Sequence, residues 1–203
     1  KKNGAIFEDV GQWKRPWYFK SHPEENLYEA VQREAVHVRK YAGVLDGSTL
    51  GKIEIKGSDA LEFMNLMYTN NFSKMKPMSA RYALMLGEDG MVMDDGVTSC
   101  LEEDHFHTTT TTGGAANVMS WMEEWLQTEW PNLEVFLTSV TEQWSVISIS
   151  GPKSRQILNE LNCNINFSNK SFPFMTFKEG KIEQIPVRIF RISFTGELSF
   201  EIN

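Results

Sequence analysis

A hairpin signal in the middle of the chain constrains the fold more than any other sequence feature. Residues 82–86 and 91–99 are strand-like runs, and Glu88-Asp89-Gly90 between them favours a tight turn. Strands joined by so short a turn pair in the antiparallel direction. Residues 52–56 alternate strictly between charged and apolar side chains, which predicts a further half-buried strand. The sequence therefore predicts a sheet that contains antiparallel pairs.

Helical patterns separate the predicted strands. Helices are predicted over residues 25–41, from an N-cap at Ser58 to about residue 68, from Gly113-Gly114 to near Pro131, and as a short segment opened by Gly151-Pro152. Further strands are predicted at residues 105–112, 135–137, 144–149, 172–177, 181–185, 187–194 and 198–202. This order of elements favours an α+β fold with mixed, mostly antiparallel sheets and flanking helices.

The two ends of the chain differ from its middle. Residues 1–25 have no regular pattern but are rich in aromatic side chains, among them Trp13 and Trp17. We therefore expect an ordered arm that packs on a domain formed by residues 26–203. The chain begins without Met and ends at Asn203, directly after the strand-like residues 198–202. We expect from this a piece of a longer chain.

Charge and composition argue against several classes of protein. Acidic residues outnumber basic residues by 27 to 20, whereas a nucleic-acid-binding protein normally carries a basic excess. No run of about 18 apolar residues is present, so no membrane span is predicted. Cys100 and Cys163 are the only cysteines, which argues against a disulfide scaffold or a cysteine-based zinc module and fits a reducing cytoplasm.

Asp94 and Asp95 are adjacent carboxylates on a predicted strand. Successive side chains of a strand point to opposite faces, so only one of the two can face a given pocket. That carboxylate could contact a ligand or a cationic intermediate. The alternative is a solvated strand end, since charged residues are mostly exposed.

His105 and His107 are two residues apart and therefore share a face of their predicted strand. This spacing would allow both imidazoles to bind one metal ion. No further Cys or His lies nearby in the sequence, however, and structural zinc usually has four protein ligands. Ordinary packed or surface imidazoles are the alternative, and no metal site is predicted.

Polar groups also border two predicted turns. Residues 108–112 lead through Gly113-Gly114 into a helix, whose free N–H groups could bind an anion or a polar ligand edge or simply begin the helix. No Gly-Lys-Ser/Thr phosphate loop follows. Arg191 and Glu201 flank the turn at Thr195-Gly196-Glu197, where they could form an ion pair or face a ligand. These residues alone do not name a reaction.

The order of several motifs resembles the glycine-cleavage T-protein, or aminomethyltransferase, family over nearly the whole chain. The matching segments are residues 11–18, Val38-Arg39 with Gly43-Val44-Leu45-Asp46, Gly57-Ser58-Asp59-Ala60, Asp89-Gly90-Met91-Val92-Met93-Asp94-Asp95, Gly151-Pro152, Arg191-Ile192-Ser193-Phe194-Thr195-Gly196-Glu197 and Phe200-Glu201. The resemblance implies an aminomethyltransferase-like folate-binding fold. It also implies that the C-terminal part of the family's module is missing after Asn203.

Within this family, residues 7–18, 46–53, 109–114 and 125–131 are similar to one branch, the tetrahydrofolate domain of the α subunits of heterotetrameric sarcosine oxidases. The resemblance implies oxidative demethylation of sarcosine in a cytoplasmic complex with β, γ and δ subunits. NAD and flavin would be bound elsewhere in that complex. Tetrahydrofolate bound to this domain would capture the one-carbon unit of the sarcosine-derived imine as 5,10-methylenetetrahydrofolate.

The resemblance further implies roles for individual residues. Asp95 matches the family's folate-pocket carboxylate and is the expected catalytic residue, which would stabilise an iminium-like one-carbon species or position the folate nitrogen. Glu201 matches a carboxylate that hydrogen-bonds the edge of the pterin, and Tyr82 matches a pocket aromatic. Thr111 lies where the family has a pocket asparagine, and Arg191 is a further expected folate-binding residue.

Two departures from the family pattern bear on the reaction. The family's Tyr-Thr-Gly-Glu begins with Phe194 here, and its Asp-Val-Ser-His is Asp46-Gly47-Ser48-Thr49, so a hydroxyl and an imidazole are absent. Both favour the oxidase branch over an autonomous aminomethyltransferase that acts on an aminomethylated lipoyl carrier. A third hypothesis is a non-catalytic assembly module that keeps the fold without binding folate.

Overall fold

The computed structural model describes residues 3–203, which cluster into two compact units. The terminal unit contains the described residues up to Thr49 together with residues 145–174 and 178–203. The central unit contains residues 50–144 and 175–177. Most of the central unit is thus a single continuous segment between two parts of the terminal unit.

Strands and helices alternate along the chain much as the sequence predicts. In chain order they are β1 (Ala5–Val10), β2 (Trp13–Phe19), α1 (Leu27–Lys40), β3 (Gly43–Asp46), β4 (Gly51–Lys56), α2 (Ala60–Met67), β5 (Ser79–Leu86), β6 (Val92–Glu102), β7 (His105–Thr110), α3 (Ala115–Thr128), β8 (Phe136–Ser139), β9 (Ile147–Ser150), α4 (Ser154–Glu160), β10 (Thr176–Ile182), β11 (Ile185–Arg191) and β12 (Ser199–Ile202). The predicted α+β class is confirmed. No helix within residues 3–203 is long and apolar enough to cross a membrane.

The central unit is an antiparallel sheet with α2 and α3 packed on one face. Its strand order is β10–β5–β6–β7–β4–β8, and the first residue of β10 joins it by pairing with Ser79. β5 and β6 form the hairpin predicted from the Glu88-Asp89-Gly90 turn. Its fully buried core side chains include Ile53, Ile55, Phe63, Met64, Phe106 and Met122. Each such burial contributes roughly 1.5–3 kcal/mol, which fixes the positions of β5, β6 and β7.

The terminal unit has its own sheet and its own core. Its antiparallel strands are ordered β3–β9–β12–β11. The core contains Ile149, Leu158, Phe167, Phe172, Ile189 and Phe200. A capping box begins α1, because Asn26 Oδ1 accepts from the Glu29 N–H and the Glu29 carboxylate accepts from the Asn26 N–H.

The N-terminal segment is more regular than its sequence suggests. Residues 5–19 form the β1–β2 hairpin, whereas an irregular segment was expected. Cross-strand ion pairs join Glu8 to Arg15 at 2.6 Å and Asp9 to Lys14 at 2.7 Å, which reinforces the pairing. Residues 1 and 2 of the expected arm lie outside the described residues. Its separation from a domain of residues 26–203 stays a prediction.

Two predicted helix starts are wrong. Asp59, not Ser58, is the N-cap of α2, because the Ser58 hydroxyl donates to the Glu134 carboxylate at 3.0 Å. α4 begins at Ser154, two residues after Pro152, since Lys153 is its N-cap.

The strand predicted at residues 172–177 is also wrong, because β10 begins only at Thr176. The preceding segment turns instead. The Phe172 N–H donates to the Ser168 carbonyl, and the Phe172 ring packs against Phe167 and Phe200.

Candidate functional site

The two neighbouring carboxylates of β6 point in opposite directions. Asp95 pairs with Leu84 of β5, whereas Asp94 pairs with Met85, which is fully buried. Asp94 is only 5% exposed, and Asp95 is half-buried. The sequence prediction that one of them faces a pocket therefore selects Asp95, since Asp94 is enclosed by the protein.

Tyr82 lies on the same sheet face as Asp95 and contacts it directly. The Tyr82 hydroxyl donates a hydrogen bond of 2.6 Å to Asp95 Oδ2. This bond raises the pKa of Tyr82, because ionisation would remove the donor and place a second negative charge beside the carboxylate. The phenol therefore stays a proton donor at neutral pH. Asp95 Oδ1 accepts no hydrogen bond from residues 3–203, so it remains available to a ligand.

The buried Asp94 connects the end of β6 to the turn before α3. Its Oδ1 accepts hydrogen bonds from the N–H groups of Asp95, at 2.7 Å, and Thr111, at 3.1 Å. Its Oδ2 accepts from the Thr111 hydroxyl at 3.2 Å. Thr111 is thus close to the predicted site in the central unit, but it contacts Asp94 and not Asp95.

Glycines leave room for these close contacts. A Cβ on Gly114 would lie 1.8 Å from Asp94 Oδ2, which no side chain could tolerate without movement. A Cβ on Gly96, the residue after Asp95, would lie 1.8 Å from the Thr109 carbonyl of β7. The Gly114 N–H also donates to the Thr111 hydroxyl at 3.1 Å. The predicted role of Gly113-Gly114 as an entry to the helix is confirmed, since α3 begins at Ala115.

A buried hydroxyl cluster lies on the same sheet face as Asp94. The Tyr68 and Thr108 hydroxyls are 3.3 Å apart, and the Thr108 and Thr98 hydroxyls are 2.9 Å apart. Burial raises the pKa of Tyr68 to about 12, the Thr108 hydrogen bond opposes this rise, and the charge of Asp94 adds to it. Tyr68 is therefore neutral across the physiological pH range.

Glu201 and Arg191 belong to the terminal unit. Glu201 of β12 pairs with Phe190 of β11, and adjacent strand residues alternate, so Arg191 points to the face opposite Glu201. Arg191 instead donates from Nη1 to the Phe172 carbonyl at 2.5 Å. Burial, and secondarily the nearby Arg155, lower the pKa of Arg191. The ion pair between Arg191 and Glu201 that the sequence allowed does not form.

His105 and His107 share a face, as predicted, and both approach Glu54 of β4. His105 Nε2 lies 3.2 Å from Glu54 Oε2, and His107 Nδ1 lies 4.0 Å from Glu54 Oε1. Within residues 3–203 no three His, Cys, Asp or Glu side chains are grouped so that they could hold a metal ion. The two imidazoles therefore flank a carboxylate in the sheet.

Sequence reasoning missed the part played by Asp94. The signal was present, because the predicted hairpin register places Asp94 on the face of the buried Ala83 and Met85. A carboxylate on a buried face must find hydrogen-bond donors. The Thr111 donors could not be identified from sequence, because they lie 17 residues away, beyond β7.

The fold and this site can now be compared with known proteins. The profile of the GCVT N-terminal domain family matches residues 1–203, and the chain belongs to this family. Sarcosine oxidase subunit alpha from Corynebacterium sp. strain U-96 is 55% identical over 201 residues, which cover 98% of this chain and 21% of that protein. The chain thus spans about a fifth of this relative's length.

Two solved structures support the assignment of the fold. The glycine cleavage system aminomethyltransferase T from Bartonella henselae superposes with a TM-score of 0.80 at 24% identity, over 99% of this chain and 50% of the other. A chain of the heterotetrameric sarcosine oxidase from Corynebacterium sp. U-96, solved with pyrrole 2-carboxylate, gives a TM-score of 0.55 at 13% identity, over 89% of this chain and 86% of the other. The predicted aminomethyltransferase-like fold is confirmed, and so is the resemblance to sarcosine oxidase α subunits.

Proposed function

We propose that this chain is the tetrahydrofolate-binding part of a sarcosine oxidase α subunit, in which folate captures the one-carbon unit released by demethylation. The observation that carries the proposal is the 55% identity to a sarcosine oxidase α subunit over 98% of the chain. The proposed complex contains β, γ and δ subunits, and its NAD and flavin are bound outside this segment. We expect this complex in the cytoplasm.

The chemistry of the Asp95 region fits a folate and a cationic one-carbon species. Asp95 Oδ1 has no hydrogen-bond donor from residues 3–203, and the Tyr82 ring beside it is 51% exposed. A carboxylate beside an accessible aromatic ring suits a flat, polar heterocycle that carries or meets positive charge. Bound tetrahydrofolate would supply the nucleophilic nitrogen that accepts the one-carbon unit.

Asp95 is the proposed catalytic residue. Its carboxylate would stabilise the positive charge of the sarcosine-derived imine and orient the folate nitrogen. The Tyr82 hydroxyl fixes one carboxylate oxygen at 2.6 Å and leaves the other for this role. Because tight positioning of two reactants removes much of the entropic cost of their reaction, a fixed carboxylate is more effective than a mobile one.

The remaining predicted contacts stay part of the proposal. Glu201 would accept hydrogen bonds from the N–H groups at the edge of the pterin, for which an ionised carboxylate is a strong acceptor. Thr111 would contribute a polar contact near Asp95. Arg191 stays a predicted folate-binding residue, although its side chain is directed to Phe172, away from the face of Glu201.

Calorimetric titration of tetrahydrofolate into the full-length protein that carries this sequence tests the proposal. We expect saturable binding in the wild type and weaker binding in Glu201→Gln, with Glu142→Gln on the surface as a matched control. No binding would favour the assembly module. One-carbon transfer from an aminomethylated lipoyl carrier, without any from sarcosine, would favour an autonomous aminomethyltransferase.

A further inference from the structure

Asp94 is a buried carboxylate with no direct place in the proposed chemistry. Its side chain lies on the apolar face of the central unit's sheet, where Ala83 and Met85 are fully buried. Enclosing a charge in such a place is unfavourable unless hydrogen bonds compensate it. A neutral side chain would avoid this cost, so the carboxylate calls for an explanation in its contacts.

All of the hydrogen bonds to Asp94 come from two residues of the proposed site. Three donors reach its two oxygens, namely the Asp95 N–H, the Thr111 N–H and the Thr111 hydroxyl, at 2.7, 3.1 and 3.2 Å. Asp94 therefore joins the backbone that carries the catalytic carboxylate to the segment before α3. Without it, β6 and the Thr111 turn would have no side-chain link at this point among the described residues.

The opposite side of the Asp94 carboxylate is closed by Gly114. Because a Cβ there would lie 1.8 Å from Oδ2, the backbone at the start of α3 packs directly on the carboxylate. The Thr111 hydroxyl is held from both sides, since it donates to Asp94 and accepts from the Gly114 N–H. The carboxylate thus has one position, and a change of even one atom would be transmitted to Asp95 and Thr111.

We propose that Asp94 is a positioning residue that locks Asp95 and Thr111 into one fixed arrangement for one-carbon capture, a role that rests on the proposed function. Asp94 does not touch the substrate. It acts through its bonds to Asp95 and Thr111, and the expected consequence of its loss is misplacement of the Asp95 carboxylate. A displacement of about 1 Å can lower a rate on the order of 100-fold.

The test measures how the full-length protein, assembled with its partner subunits, divides the one-carbon unit between methylenetetrahydrofolate and free formaldehyde. Asp94→Asn keeps the size of the side chain but removes the acceptor of the Thr111 hydroxyl. Thr111→Val removes the same bond from its other end and leaves the buried carboxylate intact. Asp89→Asn, an exposed carboxylate of the β5–β6 turn, and Thr128→Val, an exposed residue of α3, are the matched controls.

We expect Asp94→Asn and Thr111→Val each to lower the rate of capture about 10- to 100-fold at saturating tetrahydrofolate, with sarcosine consumption unchanged. The double variant should be no worse than the poorer single variant, because both lose one bond. A merely structural role would not change capture at saturation in a folded, assembled complex. Should Asp94→Asn fail to fold, Thr111→Val decides the question alone.

Two results would overturn the inference while leaving the proposed function intact. One is unchanged capture in folded Asp94→Asn. The other is a defect that saturating tetrahydrofolate fully restores, since this would be a change of affinity and not of position. A wild type that never captures the one-carbon unit would overturn the proposed function itself, and the role of Asp94 with it.

Discussion

The Tyr82 hydroxyl donates a 2.6 Å hydrogen bond to Asp95 Oδ2, across two adjacent strands of the central unit. The two residues are 13 positions apart in the sequence, and the β5–β6 hairpin brings them to one face of the sheet. Asp95 thus has one oxygen held by the protein and one that faces no donor among the described residues. This division of its two oxygens is the geometric basis of the proposed role.

Tyr82→Phe should lower one-carbon capture with little effect on folding. The substitution removes only the hydroxyl, and a hydrogen bond to a charged group contributes about 1.5–3 kcal/mol, so a loss on the order of 10-fold is expected. The ring is 51% exposed, and stability should change by no more than about 0.5 kcal/mol. Capture assays and chemical denaturation measure the two effects. Equal capture by Tyr82→Phe and wild type would show that the hydrogen bond has no functional role.

Gly114→Ala should destabilise the protein, whereas Gly113→Ala should not. The added methyl group at position 114 meets the Asp94 carboxylate at 1.8 Å, but at position 113 it meets no atom within 4 Å. Forcing a methyl group into filled space costs typically about 1–3 kcal/mol. Urea denaturation of the two variants provides a matched comparison, since they are neighbours in one turn. Equal stability of the two variants would mean that the contact at Gly114 relaxes without cost.

Stability should fall as the pH rises through the titration of Tyr68. Its pKa is raised to about 12 in the folded protein, from 10.0 in the absence of structure. The corresponding stabilisation is present below pH 10 and is lost as the pH rises towards 12. Tyr68→Phe should flatten the pH dependence of the free energy of unfolding in this window. Tyr28→Phe, on the exposed side of α1, is the control that should leave the dependence unchanged.

Acid should weaken the terminal unit through Glu25. The Arg33 guanidinium and the Ser21 N–H bind this carboxylate and lower the pKa of Glu25 to about 2, from 4.5. The contribution is therefore present above pH 4.5 and is lost as the pH falls towards 2. Arg33→Met should lower the melting temperature at pH 7 and reduce its fall in acid. Lys14→Met, in an exposed pair with Asp9, should do neither, because such pairs contribute little.

Local patterns predicted much of the fold. The Glu88-Asp89-Gly90 turn predicted the β5–β6 hairpin, and the alternation of residues 52–56 predicted β4, because each signal depends only on neighbours in sequence. The strand predicted at residues 172–177 failed, since a distant ring, that of Phe200, packs against Phe172 there. Helix starts at Ser58 and Pro152 failed for a similar reason at Ser58, whose hydroxyl bonds Glu134.

Predictions about the site divide in the same way. The opposite directions of Asp94 and Asp95 follow from strand geometry and could be predicted. The partner of each carboxylate could not, because Tyr82 and Thr111 approach from other elements. The roles of Glu201 and Arg191 stay predictions, and the strand register now places these two side chains on opposite faces.

The fate of the methyl carbon of sarcosine tests the central claim most directly. Sarcosine with an isotopically labelled methyl group is oxidised by the assembled wild-type complex, and by Asp95→Asn and Asp89→Asn, in the presence of tetrahydrofolate. The label should enter methylenetetrahydrofolate in the wild type and in Asp89→Asn, but largely free formaldehyde in Asp95→Asn. The same division of label between the two products in all three proteins would contradict the role of Asp95 in folate-dependent capture.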